Sequence, residues 1–326
     1  MINVAVIGCG KIGEKRALAL QGLANIEICY DSNFELSKEF SQRNSCRAVS
    51  SLNEIFENQT IEAVFIATTH DALALLATQA INSNKHVFIE KPGAINYSEF
   101  SEVITLKADK KKILHVGYNH RYHRSLRKAL SLTESGEIGK VLFIRARYGH
   151  GGRLGYEKEW RAKKEISGGG ELIDQGTHLL DLCQAFLGDL TLDYGATPNF
   201  FWDMRVEDNA FIVVKNTFGS IGFLHASCME WKNTFSFEVY GELGKLEVSG
   251  LGGSYGIEKL THYKMLPEMG PPCTYSWEFP MPDDSWRLEV QNFVNDINLG
   301  TISSDNGISA LKVLKLVEEI YERSGR

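Results

Sequence analysis

The sequence predicts an α/β protein: a doubly wound parallel sheet, followed by an α+β part built on a large, mostly antiparallel sheet. Three observations carry this. Up to about Tyr122, short and almost continuously apolar runs alternate with helical patterns, as expected of parallel strands buried on both faces. The first run ends in a glycine cluster, and a helical pattern follows at once. Beyond Tyr122 the strand-like segments lengthen and turn signals separate several of them, the spacing of hairpin-linked strands.

In chain order, residues 4–7 read as the first strand and 11–21 as the helix after it. Residues 26–30 form a second run, closed by Asp31. Ser51, with Glu54 three residues on, is a capping-box pattern and predicts a short helix. Strand-like runs at 63–67, 86–89 and 113–116 alternate with helical patterns at 72–81 and 97–107. A helix is expected at 125–132, then strands at 141–148, 210–216, 220–227, 235–240 and 245–249. Residues 172–187 interrupt these as one helix, and two more, 285–299 and 306–322, close the chain. Residues 250–282 are rich in Gly and Pro and read as loop.

Bulk properties exclude several classes. At 326 residues the chain exceeds the size at which one core stops growing, ~250–300 residues, so two domains are expected. Hydrophobic residues at 43% and charged residues at 23% exclude a disordered or fibrous chain. A net charge of -6 argues against a broad basic face, hence against nucleic acid as a partner. The six cysteines include no CxxC pair, which argues against zinc ribbons and points to reduced thiols in a cytoplasmic protein. The first apolar stretch is too short for a signal core and lacks a basic leader. No stretch approaches the ~18 apolar residues of a membrane helix, so no membrane partner is expected.

Gly8-Cys9-Gly10-Lys11-Ile12-Gly13 fits G-x-G-x-x-G between a strand and a helix. The first glycine permits the tight turn, the second lets backbone approach a pyrophosphate, and the third lets helix and strand pack closely. Backbone amides at Lys11 and Ile12, with the helix dipole, suit phosphate binding. Asp31 ends the second run where the pattern expects an acid that accepts from ribose hydroxyls. No arginine follows it, only Ser32 and Asn33, which favours NAD over NADP.

Glu90-Lys91-Pro92 lies at the carboxyl end of a strand, where open α/β sheets bind ligands. A lysine there suits a substrate hydroxyl; taken alone it is more readily read as a solvated loop lysine. Asp174 and His178 are four apart and share one helix face, with Asp181 three further on. A histidine near its free pKa can accept an alcohol proton, and a neighbouring aspartate can orient it. Gly168-Gly169-Gly170 just upstream permit close approach of backbone to a ligand. Taken alone, the pair also fits a helix cap with a satisfied core histidine. No convincing third and fourth metal ligand accompanies them, with His115, His120 and His123 distant in sequence, so no metal is expected. The segment from Tyr148 to Arg161 carries Arg153, Trp160 and Arg161 among glycines. It fits a polyhydroxylated or anionic ligand, and equally a solvated hinge with a packing tryptophan.

Together these residues resemble the glucose-fructose oxidoreductase/inositol dehydrogenase/rhizopine-catabolism (Gfo/Idh/MocA) family over nearly the whole chain. The resemblance rests on the glycine fingerprint, Glu90-Lys91-Pro92, Gly117-Tyr118-Asn119-His120-Arg121-Tyr122, and Gly168–Gly170 with Asp174-x-x-x-His178. It implies a Rossmann domain, 1–121, and a second domain, 122–326, for substrate binding and oligomerisation through an open sheet face. The last helix is allowed to pack on the first domain. It further implies hydride transfer between nicotinamide and a secondary hydroxyl or keto carbon of a sugar, cyclitol or nucleotide-linked sugar. Lys91 matches the lysine that touches both substrate and nicotinamide, His178 the acid/base and Asp174 its partner. Thr68, Glu90 and Asn119 fall on cofactor positions. Arg121, Trp160 and Arg161 fall near substrate, and Arg153 joins them as charge for a diphosphate. Ala67-Thr68-Thr69-His70 departs from the commoner Ala-Thr-Pro-Asn, and Leu73 stands where many members carry histidine. A homodimer or homotetramer is implied. Two other readings stay open: an NAD-dependent glycoside-cleaving enzyme with tightly held cofactor, and a non-catalytic dinucleotide-binding sensor. Lys91, Asp174 and His178 argue against the sensor.

Overall fold

A computed structural model describes residues 1–301 and 306–325, and all that follows refers to these. The chain forms two compact units: Met1–Asn119 with Trp286–Lys312, and His120–Ser285 with Val313–Arg326. The first crossing falls in the 3-10 turn Asn119–Tyr122, two residues before the expected division. The expected two-segment division is incomplete. The helix that joins the first unit is the penultimate one, and the last is shared, its first turns grouped with the first unit and the rest with the second.

In the first unit, β1 (Ile2–Ile7), β2 (Ala24–Tyr30), β3 (Arg47–Ala48), β4 (Ala63–Ile66), β5 (His86–Glu90) and β6 (Leu114–Gly117) form one sheet. All its pairs are parallel, in the order β3-β2-β1-β4-β5-β6. This is the order of a dinucleotide-binding doubly wound sheet. Helices α1 (Lys11–Leu20), α2 (Phe34–Asn44), α3 (Asn53–Phe56), α4 (His70–Asn82) and α5 (Tyr97–Asp109) connect the strands. Asn96 and Glu99 close a reciprocal cap on α5, each side chain bonded at 2.9 Å to the other residue. At α3 the expected capping box is replaced by a simpler turn, with Ser51 Oγ accepting from the Asn53 amide at 3.3 Å. Phe65 and Phe88 stack at 5.0 Å, and Phe293 meets each edge-on at 5.5 Å. Phe293, Val290 and Val294 thus bring the segment after 285 into this core.

In the second unit, β7 (Val141–Gly149), β8 (Leu190–Ala196), β9 (Asn209–Asn216), β10 (Ile221–Ser227), β11 (Thr234–Gly241), β12 (Gly244–Ser249), β13 (Glu258–Lys264) and β14 (Cys273–Phe279) form an eight-stranded sheet. Its order is β14-β13-β12-β11-β7-β10-β9-β8, antiparallel except for the β7–β10 pair. The helices of the remaining chain are α6 (Arg124–Glu134), α7 (Lys164–Ser167), α8 (Thr177–Leu187), α9 (Ser285–Leu299) and α10 (Asn306–Arg323).

Two expectations are corrected, and one strand not expected is found. The 250–282 loop contains β13 and β14: the glycines and prolines only flank them, and β14 is an edge strand with mostly exposed side chains, so no apolar alternation marks it. β8, the opposite edge, was hidden in the same way. The single helix over 172–187 is a π-helical turn, Leu172–Gly176, continued by α8. No helix among the described residues is long and apolar enough to cross a membrane.

Candidate active site

In the first unit two of the three fingerprint glycines, Gly8 and Gly13, have a steric reason of their own. Gly8 has φ +96, and a Cβ there would overlap the Ala67 carbonyl oxygen. A Cβ on Gly13 would overlap the Gly8 carbonyl oxygen, so α1 can lie on the turn only without it. A Cβ on Gly10 would meet nothing within 4 Å. Protein packing therefore does not require Gly10, and the open space above it is what a pyrophosphate needs. No side chain caps α1, which leaves the amides at Lys11 and Ile12 to an anion. Gly13→Ala is expected to cost roughly 1–3 kcal/mol or more, whereas Gly10→Ala should melt near the parent temperature. Thermal unfolding of the two variants checks this contrast.

Asp31 follows β2. Its Oδ2 accepts from the Cys9 amide at 2.8 Å and its Oδ1 from the Asn33 amide at 2.9 Å. Each oxygen keeps a further lone pair for an incoming hydroxyl. Thr68 Oγ1 donates to the Thr69 carbonyl at 3.2 Å. His70 and Leu73, the departures in this loop, are both buried.

The Glu90 carboxylate, assigned to the cofactor from the sequence, is instead taken by Arg16 of α1. Arg16 Nε reaches Glu90 Oε1 at 2.6 Å, and another guanidinium nitrogen reaches Glu289 Oε2 of α9 at 2.6 Å. The guanidinium lies 4.4 Å from the Phe88 ring centre and 4.3 Å from that of Trp286. A side chain on Gly117 would collide with this ion pair, which gives that glycine a packing reason. Lys91, half-buried, follows at the end of β5, before a cis bond to Pro92. Asn119 is buried after β6.

In the second unit, Asp174 sits on the π turn and accepts from Arg161 Nε at 3.0 Å. The Arg161 guanidinium also lies over the Trp160 ring, 4.5 Å from its centre. Arg161 thus contacts both Asp174 and the Trp160 ring. Arg153 does not join them: its side chain is exposed and pairs with Glu159 at 2.6 Å. Arg121 grips Asp181 with two hydrogen bonds of 2.6 Å. Burial pushes the Asp181 carboxyl up, and Arg121 opposes that shift.

His178 lies in the first turn of α8, buried. Its ring packs 3.9 Å from that of His120, at an interplanar angle of 36°. The two residues are far apart in sequence, and no periodicity links them. Tyr148 of β7 joins the cluster at 5.0 Å from His120 and 5.9 Å from His178. Its hydroxyl interacts with that of Tyr255, and burial above all holds it protonated. Seven residues before His178, Glu171 accepts from the Tyr156 hydroxyl at 2.9 Å and faces His150 at 3.5 Å. Burial lowers the His150 pKa, but the bond and charge of Glu171 outweigh it, and the net shift is upward.

The glycines before this helix act differently from the expectation. A Cβ on Gly169 would overlap Tyr321 of α10, and one on Gly170 the Glu207 carbonyl oxygen. At these two positions the glycines permit close approach of protein. Glu207 Oε1 accepts from the Gly170 and Leu172 amides at 3.0 and 3.1 Å and from the Tyr321 hydroxyl at 2.7 Å, which anchors the start of the π turn. Among the described residues no group of three or more His, Cys, Asp or Glu side chains is arranged to hold a metal ion.

Residues 2–118 match the model of an oxidoreductase family with NAD-binding Rossmann fold, and 126–247 match the GFO/IDH/MocA C-terminal domain. The chain is 24% identical to dTDP-3,4-didehydro-2,6-dideoxy-alpha-D-glucose 3-reductase of Saccharopolyspora spinosa, covering 98% of this chain and 96% of that one. It is 25% identical to myo-inositol 2-dehydrogenase of Thermotoga maritima, over 95% and 93% of the two chains. Among solved structures, levoglucosan dehydrogenase in complex with NADH and levoglucosan superposes with a TM-score of 0.91 at 21% identity, covering 99% and 97%.

Proposed function

The chain belongs to the Gfo/Idh/MocA family of oxidoreductases, and from that premise we propose that it transfers hydride between NAD and a carbon bearing a secondary hydroxyl, on a sugar, cyclitol or nucleotide-linked sugar. The observation that carries this reading is the buried His178, one helical turn from an Asp174 held by Arg161. A dinucleotide-binding sensor needs no such acid/base set.

The residues present fit the cofactor. Gly10 leaves open space for a pyrophosphate beside uncapped helix amides. The nicotinamide, when bound, supplies the hydride acceptor. Asp31 accepts from the ribose hydroxyls, and its charge repels a 2′-phosphate. His178 takes the proton of the substrate hydroxyl as the carbon gives up its hydride, and Lys91 hydrogen-bonds the same oxygen and offsets its developing charge. Arg161, stacked on Trp160, holds the Asp174 carboxylate and orients it toward substrate hydroxyls. Asn119 serves the cofactor. Arg121, locked on Asp181, positions the helix rather than binding substrate. Phe143, Ile221 and Phe223 on exposed parts of the eight-stranded sheet support assembly of a cytoplasmic homodimer or homotetramer.

A panel of sugars, cyclitols and nucleotide sugars, read by nicotinamide absorbance with NAD and with NADP, tests the proposal. Turnover of at least one is expected, faster with NAD. Robust turnover of simple sugars without binding of nucleotide sugars would remove the nucleotide-linked option. Asp31→Ala is expected to narrow the preference for NAD over NADP by about tenfold or more, the effect of ~1.4 kcal/mol. An unchanged preference in steady-state kinetics would sink the ribose assignment.

A further inference from the structure

A helix leaves its opening amides without an intrahelical acceptor. The helical segment that carries Asp174 and His178 begins at Glu171, runs through the π turn and continues as α8. No side chain at its own start caps it. Its opening amides are held instead by residues distant in the chain. Glu207, just before β9, accepts from the Gly170 and Leu172 amides at Oε1, at 3.0 and 3.1 Å, and from the Glu171 amide at its backbone carbonyl, at 3.1 Å. Tyr321 of α10 donates its hydroxyl to the same Oε1 at 2.7 Å, and its oxygen receives a hydrogen bond from the Ile173 backbone. The next amide, that of Asp174, bonds within the helix, to the Gly170 carbonyl at 3.0 Å. Gly169 and Gly170 give this brace its room, since a Cβ on either would overlap Tyr321 or Glu207.

A π turn holds about one residue more than an α turn. Relaxing it would rotate the chain ahead of it against the chain behind it by roughly 100°, one residue's share of a helical turn. Asp174 lies within that turn and His178 beyond it. The hold on the opening amides therefore bears on how these two side chains stand to each other. We propose that Glu207 and Tyr321 are positioning residues: by fixing the start of the π turn they set where Asp174 is presented to Arg161 and how it is aligned with His178. The inference rests on the roles proposed for Asp174 and His178.

The test uses Tyr321→Phe in the whole protein, which keeps the ring and removes the hydroxyl. Glu207→Gln, which keeps an acceptor oxygen and removes the charge, serves if the first variant does not fold. Two readouts need no substrate. Amide hydrogen exchange at residues 170–173 is expected to quicken by about tenfold or more, the effect of one lost hydrogen bond. The NMR signal of the Arg161 Nε–H, which donates to Asp174, is expected to move as the carboxylate shifts. With the best substrate of the panel, kcat is expected to fall by about tenfold or more, with NAD affinity at the parent value. An Arg161 signal at its parent position would overturn the inference even if exchange quickens, because the brace would then hold backbone without placing Asp174. A kcat equal to that of the parent would overturn it as well. Failure of the parent to turn over any panel member would count against the proposed function and leave the positioning to be decided by the Arg161 signal alone.

Discussion

Replacing His178 by glutamine is expected to lower kcat by about 10²–10⁴-fold, the usual worth of a positioned general base. NAD affinity should stay at the parent value, because the fingerprint glycines and Asp31 belong to the other compact unit. The two results together separate chemistry from binding. Turnover is measured by nicotinamide absorbance and affinity by quenching of protein fluorescence. Unimpaired turnover in this variant would remove His178 from the mechanism. A parallel loss of affinity would mean that the substitution disturbs the fold instead.

The largest effect on stability is expected from Arg16→Met. Arg16 is fully buried and is the cation shared by Glu90 and Glu289, both themselves buried. Removing it strips two carboxylates in a low-dielectric core of the guanidinium that holds them. Breaking a buried pair in this way costs about 3–5 kcal/mol, or a fall in Tm of roughly 6–20 °C for a domain of this size. The loss should shrink toward acidic pH, where both carboxyls can be buried neutral. Converting Glu90 and Glu289 to glutamine in the same background should recover much of the stability. A single Arg16→Met variant melting with the parent would show that the cluster contributes nothing. Because Glu90 directly precedes Lys91, the single variant is also expected to lose activity before it unfolds.

Local chemistry was legible from the residues alone. Gly8, Gly10 and Gly13 lie within one turn, and Asp31 ends the adjacent strand, so chain order already places them together. The same holds for Asp174 and His178 on one helical segment. What escaped the sequence are pairings that only tertiary packing creates. Arg16 and Glu289 are 273 residues apart, and Arg121 and Asp181 are 60. Glu90 looked like a ligand contact because its motif is local, whereas its partner comes from α1. The glycines at 169 and 170 carry no mark of what fills the space they leave, which is Tyr321 and Glu207. Edge strands β8 and β14 were lost because a half-solvated edge shows no apolar alternation. The polar helix α2, with only Ser37 and Phe40 buried, escaped for a related reason.

The central claim is that hydride moves directly between a substrate carbon and the nicotinamide. The most direct measurement takes the best substrate of the panel with deuterium at the carbon to be oxidised, and determines the isotope content of the reduced nicotinamide. One deuterium per nicotinamide is expected, transferred without exchange with water. Reduced nicotinamide carrying only solvent-derived hydrogen, or no reduction with any member of the panel in either direction, would contradict the account.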